Sequence, residues 1–373
     1  MSMSKKLVLS DNDISIFHAE RMQLLFKQYM ATPIKAKYVT YWEEITCVGY
    51  HPENNRLEAV VSVKQSGGYS TGLCAAGSKE YVRFFVDYHD GAGFIDAGMT
   101  NFKVANIADG TPATHPIQYM AYIYLDTTNH KKYLGCSKAV IPTVKAILSW
   151  NTPVPNDPDY HPHYGNVIER NIQLKPLLIY KPFDPSDLVF YPKPKFVDIP
   201  KLMEKAFPTP PLPPIEKLYK TYKSNQVPDH RMLYTSIAPM VMEKSFATTA
   251  LKYQPNEIAQ LGIDYDKLIE VILGNDDKAD VAFEELVCVG LNSATDTLGA
   301  VIHVKKNSGY SGDLCSTGSA EYVAFWADWD NNGSFDEYLG TAEVRVHDLD
   351  NIPADGLYYN VALPIDVTKH LRA

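Results

Sequence analysis

Two stretches of the chain share one hydrophobic rhythm. LEAVVSVK begins at Leu57 and LGAVIHVK at Leu298, and both read as β-branched strand runs. EYVRFFVD and EYVAFWAD follow at Glu80 and Glu321, alternate apolar with polar positions, and end on an aspartate where the chain turns. The two stretches are copies. Shifting the sequence by 241 positions gives 23 identities over the 53 residues from Trp42 to Phe94, with no gap. The matched pairs include Cys47 with Cys288, Tyr69 with Tyr310, Cys74 with Cys315, and Asp87 with Asp328. An internal repeat of this kind decides the architecture before any single motif does.

In copy one, further strand patterns fall at 102–107, 118–125, 144–150 and 167–174, and 41–50 supplies the first. That makes about seven short strands separated by Gly, Pro, Asn and Asp, which predicts an immunoglobulin-like or related β-sandwich over 36–175. Copy two, 280–373, has no counterpart of VKAILSW or NVIERNIQL after LYYNVALPID. It is expected to lack its last two strands, and a sandwich without them exposes edges and core. Three explanations compete: a longer repeat protein, strands supplied by the N-terminal segment or another chain, or a different closure of copy two.

Each copy follows a helical pattern. Residues 1–35 contain DISIFHAERMQLLFKQYM with Asp13 as an N-cap, and 215–275 place Ile258, Leu261, Leu268, Ile269 and Ile272 on one face. Between the copies, 176–214 is rich in proline, excludes a central strand or helix interior, and reads as a semi-rigid spacer. The fold class predicted is mainly β with helical segments, in two repeated sandwich modules.

Composition narrows the partners. The net charge is −9 and no basic block occurs, so a nucleic-acid backbone is not an expected partner. No apolar run is long enough for a membrane span, and Asp11 and Asp13 interrupt the N-terminus too early for a signal peptide.

The candidate chemistry lies in loops. DWDNNGSFDE puts Asp328, Asp330 and Asn332 at positions 1, 3 and 5 of a calcium loop and Gly333 at 6, with Asp336 or Glu337 to close it. Position 12 is Leu339, and copy one replaces the second and third ligands by His89 and Gly91. Calcium is therefore an expectation for copy two alone, against a turn in which Asx side chains bond nearby backbone. The four repeat cysteines, Cys47, Cys74, Cys288 and Cys315, stand 27 residues apart in each copy. They read as one disulfide per copy in an oxidising compartment, against two buried thiols, with Cys136 left free. Cys74 and Cys315 have no histidine partner common to both copies, so a shared thiol nucleophile is not expected. His161 and His163, an H-x-H in a Pro-rich loop, read as structural. Glu43–Glu44 and Glu284–Glu285 point to opposite faces of a strand, and one of each is expected inward against Lys64 or Lys305.

VDYHDGAGFIDAG and ADWDNNGSFDE resemble the aspartate-aromatic, acidic-glycine, Phe-Asp pattern of GEVED-type domains. The resemblance covers some 15 to 20 residues per copy, and the family's Gly-Glu acidic tail is absent. It implies β-sandwich modules of bacterial surface or secreted proteins with adhesion-like roles. The expected function is non-enzymatic binding, adhesion or assembly against a protein or glycan surface. Tyr69, Tyr310, Asp87, Asp328 and Trp329 are the expected contacts, with Tyr88 beside Trp329 to stack on sugars. The alternatives are polymerisation by strand complementation, and a hydrolase or accessory domain with a site at the module junction.

Overall fold

The computed structural model describes residues 38–107, 116–130, 136–175, 213–234, 255–264, 267–268, 270–271 and 280–370. The helical expectation for 1–35 lies outside them, as does nearly all of the Pro-rich 176–214. Copy one forms β1 (Glu43–His51), β2 (Arg56–Val63), β3 (Ser78–Asp87), β4 (Phe94–Val104), β5 (Ile117–Tyr124), β6 (Thr143–Trp150) and β7 (Val167–Asn171). Helices α1 (Ile215–Ser224) and α2 (Pro255–Gln260) precede copy two, which forms β8 (Glu284–Asn292), β9 (Thr297–Val304), β10 (Ser319–Ala327), β11 (Glu337–Val346) and β12 (Leu357–Pro364).

Equivalent residues fold alike. Asn55 and Asp296, at matching positions, both take positive φ in the β1–β2 and β8–β9 turns, a conformation that Asn and Asp tolerate. Both first strands bulge at the same place, between Ile45 and Cys47 and between Leu286 and Cys288.

The copies are not separate sandwiches on a spacer. β1, β2 and β5 of copy one and β8, β9 and β12 of copy two close into one six-stranded sheet, ordered β1-β12-β9-β8-β5-β2. Two parallel seams join the halves, β1 with β12 at Tyr50–Tyr359 and β5 with β8 at Tyr119–Leu291. Outside it lie a four-stranded sheet, β4-β3-β6-β7, and a two-stranded sheet, β10-β11. Thr40–Ala373 is one compact unit.

The halves meet in a roughly isologous manner: equivalent strands form equivalent seams, and at the centre a few residues meet their own repeat partners. Val60 and Val301 pack together beside Cys47 and Cys288. The Glu58 carboxylate sits against Gly299, its own repeat equivalent, where a Cβ would collide with Oε1. Glu58 is fully buried, pairs with Arg56 at 3.3 Å, and accepts from Asn360 Nδ2 at 3.3 Å. Burial pushes its carboxyl up to about 8. At the seams, Gly49 and Gly290 occupy equivalent positions. A Cβ on Gly49 would lie 2.6 Å from the Tyr359 carbonyl oxygen, and one on Gly290 3.1 Å from that of Tyr119. Glycine within a strand marks such close backbone approach.

This arrangement corrects the expected disulfides. Cys47 bonds Cys288, across the copies, and Cys136 bonds Cys315, while Cys74 is an exposed free thiol. The reason is facing. Cys47 packs outside the main copy-one core, with Val60, Val301 and Cys288 in the layer between the halves, so its equivalent, not Cys74, comes within 6.3 Å Cα to Cα.

Among the described residues no strand pairs with β10 on the edge that β6 occupies on β3. Helical residues Ile215, Leu218, Tyr222, Met232 and Leu233 pack into a core with Tyr310, Val323, Phe325 and Val344. Ile258 and Leu268 are buried in the same core but do not share one helix face, because α2 ends at Gln260 and Gly262 takes positive φ; Ile269 and Ile272 lie outside the described residues.

Candidate binding surface

The expected loop contacts divide. Tyr69 and Tyr310 are buried, so their assignment to a contact surface is corrected. Each Gly-Tyr-Ser loop turns its tyrosine inward. Tyr69 Oη donates to the Trp42 carbonyl at 3.0 Å and Tyr310 Oη to that of Phe283 at 2.9 Å. Gly68 and Gly309, both at positive φ, admit the Trp42 and Phe283 rings where a Cβ would lie 2.8 Å away.

The Asp-aromatic turns expose their tips, but Tyr88 is buried and Asp87, Asp328 and Trp329 are half-buried, with their side chains engaged locally. Asp87 Oδ1 accepts the His89 amide at 2.8 Å. Asp328 accepts the amides of Asn332 at 3.1 Å and Gly333 at 2.7 Å. Asp330 accepts Asn332 Nδ2 at 3.0 Å, and Asp336 is exposed. The Trp329 ring stacks on His370 at 3.9 Å and the Tyr88 ring on His130 at 3.5 Å, so each aromatic face expected to meet a sugar already meets an imidazole. Among the described residues, the one cluster with metal-ligand spacing is Cys136, Asp313 and Cys315, and its two thiols form a disulfide.

Inward from these loops lie two carboxyl pairs that the sequence reading only half located. Lys64 and Lys305 pair with the outward Glu44 at 2.7 Å and Glu285 at 2.6 Å. The inward Glu284 is clasped by Arg231, Nη1 to Oε1 at 2.5 Å and Nη2 to Oε2 at 2.6 Å, with Glu321 4.0 Å from the same guanidinium. Their equivalents, Glu43 and Glu80, are buried with no ion pair among the described residues, and neither Glu80 oxygen has a hydrogen-bond partner. Burial, and for Glu80 also the neighbouring Glu43, holds both carboxyls well above the usual carboxylate range.

The sign follows. The folded chain keeps protons on these two carboxyls that an unfolded one releases above their ordinary 4.5, so the stability they contribute is fully present at low pH and falls as pH rises toward the folded values. His347, pushed down to about 4 by burial, acts oppositely, but only up to its ordinary 6.5. Urea unfolding should therefore show stability declining between pH 6.5 and 8. Glu80→Gln should flatten that decline by up to about 1.4 kcal/mol per pH unit, one proton's worth. An unchanged slope in the variant would refute the assignment.

The largest departure from repeat symmetry is a surface. In copy one, β3 pairs with β4 on one edge and β6 on the other, Glu80–Asp87 against Thr143–Trp150. In copy two, β10 pairs with β11, and its other edge has no strand among the described residues. Residues that β6, β7 and their connecting loop cover in copy one are open in copy two. Ile45 is 2% exposed and its equivalent Leu286 51%; Val48 is 0% and Val289 38%; Phe85 is 0% and Trp326 52%. Over Phe85, copy one packs Ile147 and Val154. Trp326 meets the tilted Tyr338 ring at 5.1 Å, itself exposed, as are Tyr322 and Phe335. These side chains flank the open edge of β10 on two faces, since Ile45 and Val48 belong to the core of copy one and Phe85 to the separate outer cluster, and apolar side chains left so exposed mark interaction sites.

No family model matches the chain, and no curated protein matches it. The GEVED-type resemblance thus rests on the turn residues alone. A solved structure, MtrC from Shewanella baltica, aligns at 10% identity over 86% of this chain and 61% of its own, with a TM-score of 0.18, too low to carry an argument. The chain thus spans less than two thirds of that protein. No described helix is long and apolar enough to cross a membrane.

Proposed function

We propose that this chain is a non-enzymatic binding and assembly protein whose recognition surface is the open side of copy two. One observation carries the reading: Leu286, Val289 and Trp326 are exposed where their equivalents are buried core. A folded chain that leaves such positions uncovered is suited to having them covered by another polypeptide. The expected binding role is kept, but its location moves from the Gly-Tyr-Ser loops, whose tyrosines face inward, to the β8 and β10 faces. Each copy is read as an immunoglobulin-like sandwich, the second with no strand on the outer edge of β10 among the described residues. Two disulfides support an oxidising, extracytoplasmic setting.

Light scattering after size exclusion, at two well-separated concentrations, tests the reading. The wild type should exceed its 41.8 kDa monomer mass at the higher concentration. Trp326→Glu and Leu286→Lys should restore the monomer. A monomer at both concentrations, or an oligomer indifferent to both substitutions, would remove assembly through this face.

A further inference from the structure

Copy one holds the template for what covers copy two. β6 lies antiparallel on β3, with Val144, Ala146 and Leu148 opposite Val86, Phe84 and Val82 on the core side. On the outer side, Lys145 and Ile147 stand opposite Phe85 and Arg83. Carried over by the 241-residue repeat, the core-side partners become Ala327, Phe325 and Val323, and the outer ones Trp326 and Ala324. Ala324 leaves the space that Arg83 fills in copy one, and Trp326 supplies a broader ring where Phe85 stands. A strand with β6 chemistry would set a lysine opposite Trp326 and near Phe335, the repeat equivalent of the Phe94 ring that Lys145 approaches to 4.2 Å in copy one, a favourable cation–π placement. Its core-side residues would turn toward the uncovered Leu286 and Val289, as those of β6 share one core with Ile45 and Val48.

We infer that the open edge of β10 binds an extended segment of another polypeptide, antiparallel along Glu321–Asp328, with small and aliphatic residues alternating as in β6. This rests on the reading of the open face as the recognition surface and adds the partner's chemistry. Recognition is β-strand addition: main-chain bonds along the edge give affinity, and alternate side chains give register.

The probe is a labelled peptide of Thr143–Trp150, TVKAILSW, carried on a solubilising lysine tail and titrated into the full chain by fluorescence anisotropy. Copy one cannot take it, because its own β6 fills the site. The peptide should bind saturably, a scrambled peptide should not, and Trp326→Glu should weaken binding at least ten-fold. Tyr322→Lys, which alters a side chain exposed on the outer face, provides a second variant with the same expected direction. Hydrogen exchange should slow at the amides of Glu321–Asp328 in the complex. Equal binding of the scrambled peptide, or binding unchanged in both variants, would overturn the inference. So would absence of binding up to the peptide's solubility limit. If the peptide fails while Trp326→Glu still lowers the oligomer mass, the strand chemistry is wrong and the surface stands. If both fail, the surface reading falls with it.

Discussion

Removing the Cys47–Cys288 bridge by a double alanine substitution is expected to lower the stability of the unit by about 4 kcal/mol. The bridge spans 241 residues, so its loss restores much conformational freedom to the unfolded chain. The figure is below that for an isolated loop of this length because Cys136–Cys315 already shortens the path between the ends. It also falls where the halves meet, beside Val60 and Val301, so two small side chains leave unfilled space in a packed layer. Urea unfolding of the variant against the wild type measures the change. The pairing itself is checked by a thiol reagent on unreduced, unfolded protein, which should label one cysteine per chain, Cys74. Labelling of three cysteines, or unchanged stability of the variant, would contradict the cross-copy bridge.

Gly49→Ala is expected to destabilise by about 3 kcal/mol, and Gly290→Ala by about 1 kcal/mol. The two glycines are repeat equivalents in the same sequence setting, so local propensity predicts equal effects. The seams differ. An added methyl at 49 meets the Tyr359 backbone oxygen at 2.6 Å and its carbon at 2.9 Å, and backbone cannot rotate away. At 290 the nearest atoms, those of the Tyr119 carbonyl, lie at 3.1 Å, and a shift of a few tenths of an ångström suffices. Paired thermal unfolding of the variants measures the ranking. Equal effects would mean that the β1–β12 seam is looser than the distances imply.

Much of this seam was written in the sequence. CVGY and CVGL place glycine inside a β-branched run in both copies, a signal of close backbone approach, and each cysteine two residues earlier shares that face. The signal says that something comes near, not what. Arg231 was less legible. It lies between α1 and α2, and nothing in its neighbouring sequence shows that its guanidinium reaches Glu284, the inward member of the Glu284–Glu285 pair. Tyr69 and Tyr310 misled for a related reason. Gly-Tyr-Ser reads as a loop, and loop tyrosines are usually displayed. The flanking glycine here lets an aromatic ring close over the backbone and draws the hydroxyl onto a carbonyl of the preceding segment.

The sequence alone determined what is local: the repeat, the strand rhythm of both copies, the Asx turns and the helical spacing before copy two. Each depends on periodicity or on a few neighbouring residues, and those are contiguous in the chain. The tertiary structure decided what depends on facing. It joined the two inner sheets into one, matched Cys47 with its own equivalent, put a guanidinium on one carboxyl pair and left the other with none among the described residues. A strand has two faces, and a pattern that buries both, as β2 does, cannot say which face meets its own sandwich and which meets the other copy.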